Sequence, residues 1–187
     1  MKSDEQLIAG YRDSGQKQSL EELVDRYVGK VRAMIYPMVL DRTLADDLTQ
    51  EVFLRAFRGL GGFNGQSRFS TWLFRVAMNT AHSFLVRRRR APVSFCGELP
   101  DCPQTRSGGP AATAMQQELE AAVVAALGEL PPKLRAAVAL TSIEQLDVAE
   151  AARIEGCTRA TMYWRIHEAR KRLRRRLEDH LPENANQ

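Results

Sequence analysis

The amino-acid sequence predicts an all-α protein made of two small helical domains that a flexible linker joins. Apolar residues recur at helical spacing along most of the 187 residues, and no stretch alternates as a strand does. Between residues 91 and 114 that periodicity lapses, and four of the eight prolines fall in this span. We therefore predict a domain over residues 1–90, a linker over residues 91–114 and a second domain over residues 115–187, which carries a helix-turn-helix.

The first two helices are predicted from capping patterns and periodicity. Ser3 with Gln6, and Ser19 with Glu22, each form the Ser-x-x-Glu/Gln pattern in which side chains cap the amino end of a helix. After Ser19 the apolar residues keep helical spacing, so a long second helix is expected there. Pro37 should kink or end this helix, because proline lacks the backbone N–H that a helix interior needs.

The third and fourth helices are separated by a glycine-rich break. We expect the third helix to begin at Thr43 and to stop at residues 59–62, where three glycines disfavour helix. The fourth helix runs from about Phe69 to Arg90. Phe69 and Trp72 share its apolar face, and their spacing favours ordinary core packing.

The second domain is predicted to resume helical structure at Met115 and to start another helix at the prolines of residues 130–132, because proline suits a first helical turn. After residue 147 a short helix is followed by Gly156 as a turn, by Thr158 as a cap and by a long basic helix. The short helix contains three small residues that would let it pack closely against the long basic helix: Ala149, Ala151 and Ala152. That succession is typical of a helix-turn-helix, whose second helix enters the major groove of DNA.

The charge of the chain is small in sum and uneven in distribution. Its 27 basic and 23 acidic side chains leave a formal charge of +4. Residues 61–90 carry 6 basic side chains and no acidic one, and residues 159–176 carry 8 basic side chains against 1 acidic. Such blocks suit polyanions, because neutralised phosphates release condensed counterions. One block alone is explained equally well as a solvated helix face, whereas two blocks interleaved with aromatic residues favour nucleic acid.

The long basic helix divides into an inner and an outer face. Four apolar positions are predicted to face the core: Met162, Ile166, Ala169 and Leu173. The outer positions near the helix start would face base edges: Arg159, Tyr163, Trp164, His167 and Glu168. Further basic residues are expected to hold phosphates: Arg165, Arg170, Lys171, Arg172, Arg174, Arg175 and Arg176. Two alternatives stay open, because Trp164 would also suit partial burial, and Glu168 either accepts from a cytosine amino group or pairs with a nearby arginine.

The sequence argues against membrane, secreted, metal-binding and catalytic functions. Its apolar runs fall far short of the ~20 residues that a spanning helix needs, and no apolar run follows the first lysine as in a signal peptide. The three cysteines, Cys96, Cys102 and Cys157, fit a reducing cytoplasm, and neither Cys96 nor Cys102 has the neighbours of a zinc site. We find no catalytic residue set, metal site, cofactor site or phosphate-binding glycine loop. We therefore predict a cytoplasmic protein that is not an enzyme and inserts in no membrane.

Two stretches of the sequence together resemble a known family. Residues 46–53 read DDLTQEVF, residues 70–79 read STWLFRVAMN, and the helix ends in the four arginines of residues 87–90. This succession resembles region two of the extracytoplasmic-function (ECF) sigma factors of bacterial RNA polymerase. The stretch from Leu130 through the helix-turn-helix resembles region four of the same family. The resemblance covers nearly the whole chain outside the linker, and the order and spacing of the segments make it specific.

The resemblance implies partners for the first domain. In the family, region two binds the clamp helices of the largest polymerase subunit, and the matching surface comprises Asp46, Asp47, Gln50, Glu51 and Arg55. Acidic residues at a helix start are explained equally by favourable interaction with the helix dipole. Region two also opens the minus-ten element and captures a flipped base of single-stranded DNA, for which the matching residues are Phe63, Arg68, Arg75, Asn79, Arg87 and Arg88. Asn79 is the predicted base contact.

The resemblance also implies that region four reads the minus-thirty-five element as duplex and contacts the flap of the second-largest polymerase subunit. The matching residues are Arg159, Thr161, Tyr163, Trp164, Arg165, His167, Glu168, Arg170 and Lys171. Family recognition helices often read Gly-Thr-Val-Lys-Ser-Arg, whereas residues 160–165 of this chain read ATMYWR, a departure that bears on promoter preference. The implied protein is a promoter-specificity subunit that is monomeric outside its complexes and is held by an anti-sigma factor.

A second hypothesis, of a different class, is a stand-alone helix-turn-helix regulator with an N-terminal ligand or partner domain. Such a protein would bind duplex DNA tightly by itself, as a dimer on paired half-sites. The acid-free helix over residues 69–90 disfavours it, because a ligand-sensing domain has no reason to end in four arginines.

Overall fold

The computed structural model describes residues 2–90 and 110–178, with side chains described for residues 2–90 and 117–178. The N-terminal part comprises α1 (Asp4–Ser14), α2 (Lys17–Val39), α3 (Arg42–Gly59), a 3₁₀ turn (Leu60–Gly62) and α4 (Phe69–Arg90). The C-terminal part comprises α5 (Pro110–Glu129), α6 (Pro132–Val138) with a π-helical turn (Ala139–Ile143), α7 (Val148–Glu155) and α8 (Arg159–Leu177). No strand occurs among the described residues, and the predicted all-α class with two helical domains is confirmed.

The amino ends of the first two helices are built differently. At α1 the Ser3 hydroxyl accepts the Gln6 backbone N–H at 3.3 Å, and the Gln6 side chain accepts the Ser3 N–H at 2.9 Å, so the predicted capping box is present. At α2 the capping prediction is wrong, because the helix begins at Lys17 and Ser19 lies inside it, 3% exposed. The Ser19 hydroxyl faces Gly10, where a methyl group would approach it to 3.2 Å. Ser19 is therefore a small residue at a close helix crossing and not a cap.

The junction between α2 and α3 departs slightly from the predicted positions. α2 continues through Pro37 and ends at Val39, and Leu40 closes it in the left-handed conformation with φ 57°. α3 begins directly after Asp41, whose carboxylate accepts the Leu44 backbone N–H at 2.9 Å. Aspartate is a favourable cap, and it starts the helix one residue earlier than periodicity predicts. The glycine-rich break and α4 lie as predicted.

The core of the N-terminal domain is built around aromatic rings. Phe69 is 1% exposed, and its ring packs edge-on against Tyr27 (ring centroids 5.6 Å apart) and Phe63 (5.9 Å). Trp72 packs obliquely against Phe63 (5.4 Å) and Phe69 (5.7 Å). Burial, reinforced by a hydrogen bond that the Tyr27 hydroxyl donates to Asp4, raises the pKa of Tyr27 well above its ordinary value. Phe69 and Trp72 are thus core residues, as their spacing predicts.

The first helix of the C-terminal part begins earlier than predicted. α5 starts at Pro110, whereas periodicity predicts a start at Met115, so the last residues of the predicted linker over residues 91–114 belong to this helix. Proline suits the first helical position and alanine is the best helix former, and Pro110 is followed by Ala111 and Ala112. The earlier residues of the predicted linker lie outside the described part of the chain.

The helix-turn-helix takes the predicted form. Asp147 caps α7 by accepting the Glu150 backbone N–H at 2.8 Å, and the helix ends at Gly156. Gly156 has φ 63°, a left-handed conformation in which a side chain would be strained, so glycine provides the turn. Thr158 then caps α8 by accepting the Thr161 backbone N–H at 3.1 Å. α8 packs against α5 and α6, α7 packs against the π-helical turn that follows α6, and α7 and α8 contact each other.

The two domains pack against each other along α2 and α4. The main hydrophobic cluster is continuous across them, with Leu140 and Ile154 buried among N-terminal residues. At the end of α2 the Arg135 guanidinium, 8% exposed, donates to the Met38 carbonyl at 2.9 Å. The carboxyl end of a helix favours a cation in this position. Leu40, just beyond, packs into the smaller cluster of the C-terminal domain.

Candidate polymerase and DNA interfaces

The outward face of α3 carries the residues predicted to contact the polymerase. The opposite face is buried and holds Ala45, Leu48, Thr49, Val52, Phe53 and Ala56. Asp46, Asp47 and Gln50 are exposed, and Glu51 and Arg55 are half-buried on the same outward side. Leu54 lies on the same side of α3, and its apolar side chain is 51% exposed. The sequence pattern gave no reason to select it, because a leucine in an amphipathic helix is expected to face the core.

Two arginines hold carboxylates of this α3 face. Arg32 of α2 donates to Asp46, and that hydrogen bond keeps the pKa of Asp46 below its usual value. Arg55 donates to Glu51 at 2.6 Å from one turn further along, and that hydrogen bond lowers the pKa of Glu51. Both carboxylates therefore stay ionised well below neutral pH, and the face presents fixed polar groups to a partner.

α4 and the loop before it carry the residues predicted to bind the minus-ten element. Five of these side chains are exposed to solvent: Arg68, Arg75, Asn79, Arg87 and Arg88. Phe63 is different, because it is 7% exposed and its ring is packed against Phe69 and Trp72. The prediction for Phe63 is corrected accordingly, since a ring committed to the core cannot stack on a DNA base.

The loop ahead of α4 is held by an arginine that the sequence pattern gave no reason to select. The guanidinium of Arg12, on α1, donates to the backbone carbonyls of Leu60 and Phe63. A single arginine near the end of a helix carries no sequence signal for so distant a contact. Arg12 therefore ties α1 to the segment that leads into the predicted minus-ten surface.

Arg75, also predicted to bind the minus-ten element, lies where the two domains meet. Its guanidinium donates to the backbone carbonyl of Arg153 on α7. One turn earlier on α4, the Thr71 hydroxyl donates to the Glu150 carboxylate at 2.6 Å. In this arrangement α7 packs against α4, and the guanidinium of Arg75, although exposed, is engaged by the backbone of α7.

The outer side of α8 is basic and aromatic. Met162 and Ala169 are 0% exposed, which places the inner face of the helix as predicted. Six residues of the predicted minus-thirty-five set are exposed: Arg159, Tyr163, Trp164, His167, Arg170 and Lys171. Thr161 is half-buried, and its hydroxyl lies 2.9 Å from that of the capping Thr158. The exposed set covers about the first three and a half turns of the helix.

The structure favours one interpretation at each of the two positions left open on α8. Trp164 is 60% exposed, so the ring is not held against a neighbouring helix. Glu168 accepts from Arg172, one turn later, at 2.6 Å, and that hydrogen bond lowers the pKa of Glu168. Glu168 therefore belongs to a helix ion pair, in which its carboxylate is already engaged.

A buried carboxylate joins both domains at the end of α7. The Glu155 side chain is 1% exposed and is contacted by His82 of α4 at 2.9 Å, Lys133 of α6 at 3.2 Å and Arg165 of α8 at 3.0 Å. Burial opposes its ionisation, but the hydrogen bonds and charges of His82 and Lys133 outweigh burial and lower the pKa of Glu155. Glu155 was not selected from the sequence, because an acid at the last position of a short helix forms no recognisable motif.

The Glu155 contact changes the role of Arg165. Its side chain is 14% exposed and forms an ion pair inside the helix-turn-helix, whereas the prediction assigns it to a DNA phosphate. We correct that assignment, because a guanidinium turned toward a buried carboxylate supports the fold and does not project into the groove. Arg170, which is exposed, remains available for a phosphate.

The described residues form neither a metal-ligand cluster nor a membrane-spanning helix. Within residues 2–90 and 110–178, no three His, Cys, Asp or Glu side chains come together as a metal site would require. None of the helices over these same ranges is both long and apolar enough to cross a membrane. Cys157 is a free, half-buried thiol, and Cys96 and Cys102 lie outside the described part of the chain.

Comparison with known proteins identifies the class to which these surfaces belong. Residues 23–91 match the Sigma-70 region 2 family, and residues 120–173 match the family Sigma-70, region 4. The chain is 33% identical over 187 residues to the RNA polymerase sigma-H factor of Pseudomonas aeruginosa, covering 96% of both proteins. It is 32% identical over 176 residues to the ECF RNA polymerase sigma-E factor of Escherichia coli K12, covering 90% of this chain and 92% of the relative.

Solved structures agree with these relatives. The structure of CnrH in complex with the cytosolic domain of CnrY matches with a TM-score of 0.69 and 26% identity, over 94% of this chain and 97% of CnrH. The sigma factor RpoE from Bartonella quintana, solved with the anti-sigma factor NepR, matches with a TM-score of 0.64 over 84% of this chain and 96% of RpoE. At 21% identity, that second match supports the fold.

The two helical domains and their family matches define a bacterial transcription initiation factor of the sigma-70 class. The chain belongs to the ECF RNA polymerase sigma factors. It directs transcription initiation and is not an enzyme, and this membership excludes the alternative of a stand-alone regulator.

Proposed function

We propose that the two domains of this ECF sigma factor divide promoter recognition between them. The N-terminal domain, residues 1–90, binds the clamp helices of the largest polymerase subunit through α3 and opens the minus-ten element with α4. The C-terminal domain, residues 115–187, contacts the flap of the second-largest subunit and places α8 in the major groove of the minus-thirty-five element. The observation that carries this proposal is the presence of an acidic exposed face on α3 and two basic exposed faces on α4 and α8.

Reconstituted transcription tests the proposal. The full chain is combined with sigma-free bacterial core polymerase, and run-off transcripts are mapped on a library of genomic fragments. We expect start sites at a fixed distance from a shared pair of elements, and weak DNA binding by the chain without polymerase. Absence of both core binding and transcripts would contradict the proposal, and tight sequence-specific binding by the isolated chain would contradict the division of labour.

A protein partner completes the proposed function. CnrH, which matches both domains of this chain, was solved with the cytosolic domain of CnrY bound to it. That likeness supports the proposal that an anti-sigma factor binds this chain in the cytoplasm while no polymerase is bound. Outside such complexes the proposed state of the chain is a monomer. Affinity purification of the full chain from its own bacterium would then recover a polypeptide that blocks core binding, and failure to recover one under any growth condition would remove this part of the proposal.

Asn79→Ala should impair promoter opening while leaving core binding intact. Asn79 is exposed on α4, and the loss of one specific base contact, worth about 1–3 kcal/mol, predicts a drop of about ten-fold in open complexes. Permanganate reactivity of unpaired thymines measures opening, and fluorescence anisotropy measures core affinity. Asp47→Arg on α3 is the control, because it should weaken core binding first. A comparable loss of core affinity in Asn79→Ala would contradict the base-contact role.

Arg170→Ala and Arg165→Ala should separate DNA binding from folding. Arg170 is exposed, so its removal should weaken holoenzyme binding on all promoter sequences and reduce the slope of log affinity against log salt by about one. Arg165 pairs with buried Glu155, so its removal should mainly lower the urea midpoint of unfolding. An unchanged salt slope in Arg170→Ala, or equal urea midpoints for the two variants, would contradict these roles.

A further inference from the structure

Two adjacent aromatic side chains on α8 project from the protein surface. Tyr163 is 62% exposed and Trp164 is 60% exposed, and no other large hydrophobic side chain in the described residues is as exposed. The ring-to-ring contacts found within residues 2–90 and 117–178 all lie in the N-terminal domain and involve neither ring. Folding therefore gains little from either side chain, and neighbouring exposed apolar groups mark a surface to which another molecule binds.

Helix geometry turns both rings away from the protein. Thr158 caps α8, so Tyr163 and Trp164 lie in its second turn. Met162 is 0% exposed and faces inward, and at about 100° per residue the next two side chains are turned about 100° and 200° away from it. The first turns of a recognition helix are the part that reaches base edges in the major groove. The pair thus occupies base-reading positions.

The surroundings of the pair favour duplex DNA over a protein surface. Four exposed groups of the same helix that are basic or can become cationic surround the two rings: Arg159, His167, Arg170 and Lys171. The one acidic residue among residues 159–176, Glu168, is already engaged in a helix ion pair. The phosphates of a DNA duplex would pair with the cationic groups around the two rings. The floor of the major groove offers the rings an apolar group, the C5-methyl of thymine.

We infer that Tyr163 and Trp164 read thymine C5-methyl groups in the minus-thirty-five element. The inference rests on the proposed function and specifies which chemical group the C-terminal domain recognises. Consecutive residues rise by about 1.5 Å along the helix and point in different directions, so the two rings reach neighbouring base pairs. The element should therefore contain at least one thymine whose methyl group is required for full affinity.

Removal of single methyl groups tests this inference. Holoenzyme with the full chain is used to select a promoter from a library randomised at the minus-thirty-five element. Each selected thymine is then replaced by deoxyuridine, which pairs identically and lacks only the methyl group. We expect at least one replacement to weaken holoenzyme binding about four-fold, as the loss of one buried methyl group predicts.

Variants assign the methyl contact to its residues. Tyr163→Ala and Trp164→Ala should bind the thymine promoter more weakly, and at least one of them should bind the thymine and deoxyuridine promoters equally. Arg170→Ala is the matched control on the same helix, because it should weaken both promoters by one factor and so preserve the four-fold ratio. Leu119→Ala, at a 42% exposed leucine of α5, should change neither affinity and controls for the loss of an exposed apolar group.

Three outcomes would overturn the inference. The first is equal binding of the wild-type holoenzyme to thymine and deoxyuridine promoters, and the second is an undiminished ratio in both aromatic variants. The third is that Tyr163→Ala and Trp164→Ala reduce transcription equally from both promoters while DNA affinity stays unchanged. That result would assign Tyr163 and Trp164 to contact with a protein partner. A wild-type holoenzyme that initiates from no promoter would contradict the proposed function itself, so the two failures are distinguishable.

Discussion

Joining the two domains covalently at Thr71 and Glu150 should abolish promoter-directed initiation. These side chains approach to 2.6 Å between α4 and α7, so cysteines at both positions lie within reach of a short cleavable bismaleimide. The experiment uses a chain in which Cys96, Cys102 and Cys157 have been replaced. We expect run-off transcription to fall to background in the linked fraction and to return once the linker is cleaved.

The physical reason for this expectation is distance along the promoter. The minus-ten and minus-thirty-five elements are about 25 base pairs apart, which is about 85 Å of duplex at about 3.4 Å per base pair. α7 contacts α4 directly and α8 follows α7 after a single turn, so the two helices proposed to bind DNA approach each other to within about two helix diameters, roughly 20 Å. If α4 and α8 bind these two elements as proposed, a closed chain cannot reach both, and we expect the domains to separate when the holoenzyme engages a promoter.

The same chemistry within one domain provides the control. Asp4 of α1 and Arg26 of α2 form an ion pair inside the N-terminal domain, so Asp4→Cys and Arg26→Cys can be joined in the same way. This second linked chain should retain initiation, because it leaves the domains free to part. Full activity of the chain linked at Thr71 and Glu150 would contradict the assignment of the two promoter elements to two separable domains.

Local sequence patterns predict the helices of this protein well, because caps, glycines and apolar spacing act over a few residues. α4 spans Phe69–Arg90 as expected, and Gly156 forms the turn of the helix-turn-helix. Capping patterns and apolar spacing give a wrong prediction where contact with a second helix determines the surroundings of a residue. Ser19 has the spacing of a capping residue, yet it lies inside α2, where its hydroxyl faces Gly10 of α1.

The same distinction between patterns within one helix and contacts between helices applies to the predicted site residues. Exposed polar residues such as Asn79, Gln50 and Arg170 lie on the predicted faces, since helical periodicity alone determines which side of a helix they occupy. Phe63 and Arg165 were assigned to DNA, but one packs in an aromatic core and the other pairs with a buried acid. Their partners come from other helices, and no one-dimensional pattern encodes those long-range contacts.

Neutralising Glu155 should destabilise the folded chain strongly. Its carboxylate is 1% exposed and is contacted by His82, Lys133 and Arg165, so Glu155→Gln leaves the largely buried Arg165 and His82 side chains without a counter-charge. Loss of one partner from a buried ion pair predicts a drop of about 3 kcal/mol in the free energy of unfolding at neutral pH. Urea denaturation followed by circular dichroism measures it. Glu168→Gln is the matched control, because that acid belongs to an exposed pair within α8 and its loss should change stability little.

The pH dependence of this difference tests whether the charge of Glu155 is the cause. The folded-state pKa of Glu155 lies below its usual value, although burial opposes ionisation, because its hydrogen bonds and neighbouring charges favour the carboxylate. Folding therefore favours the ionised form, and its contribution is complete above the unfolded-state pKa of about 4.3 and fades as the pH falls through the folded-state pKa. The difference in unfolding free energy between the wild type and Glu155→Gln should be constant near neutral pH and shrink below about pH 4. A difference that persists unchanged in acid would mean that Glu155 stabilises the fold through packing and not through its charge.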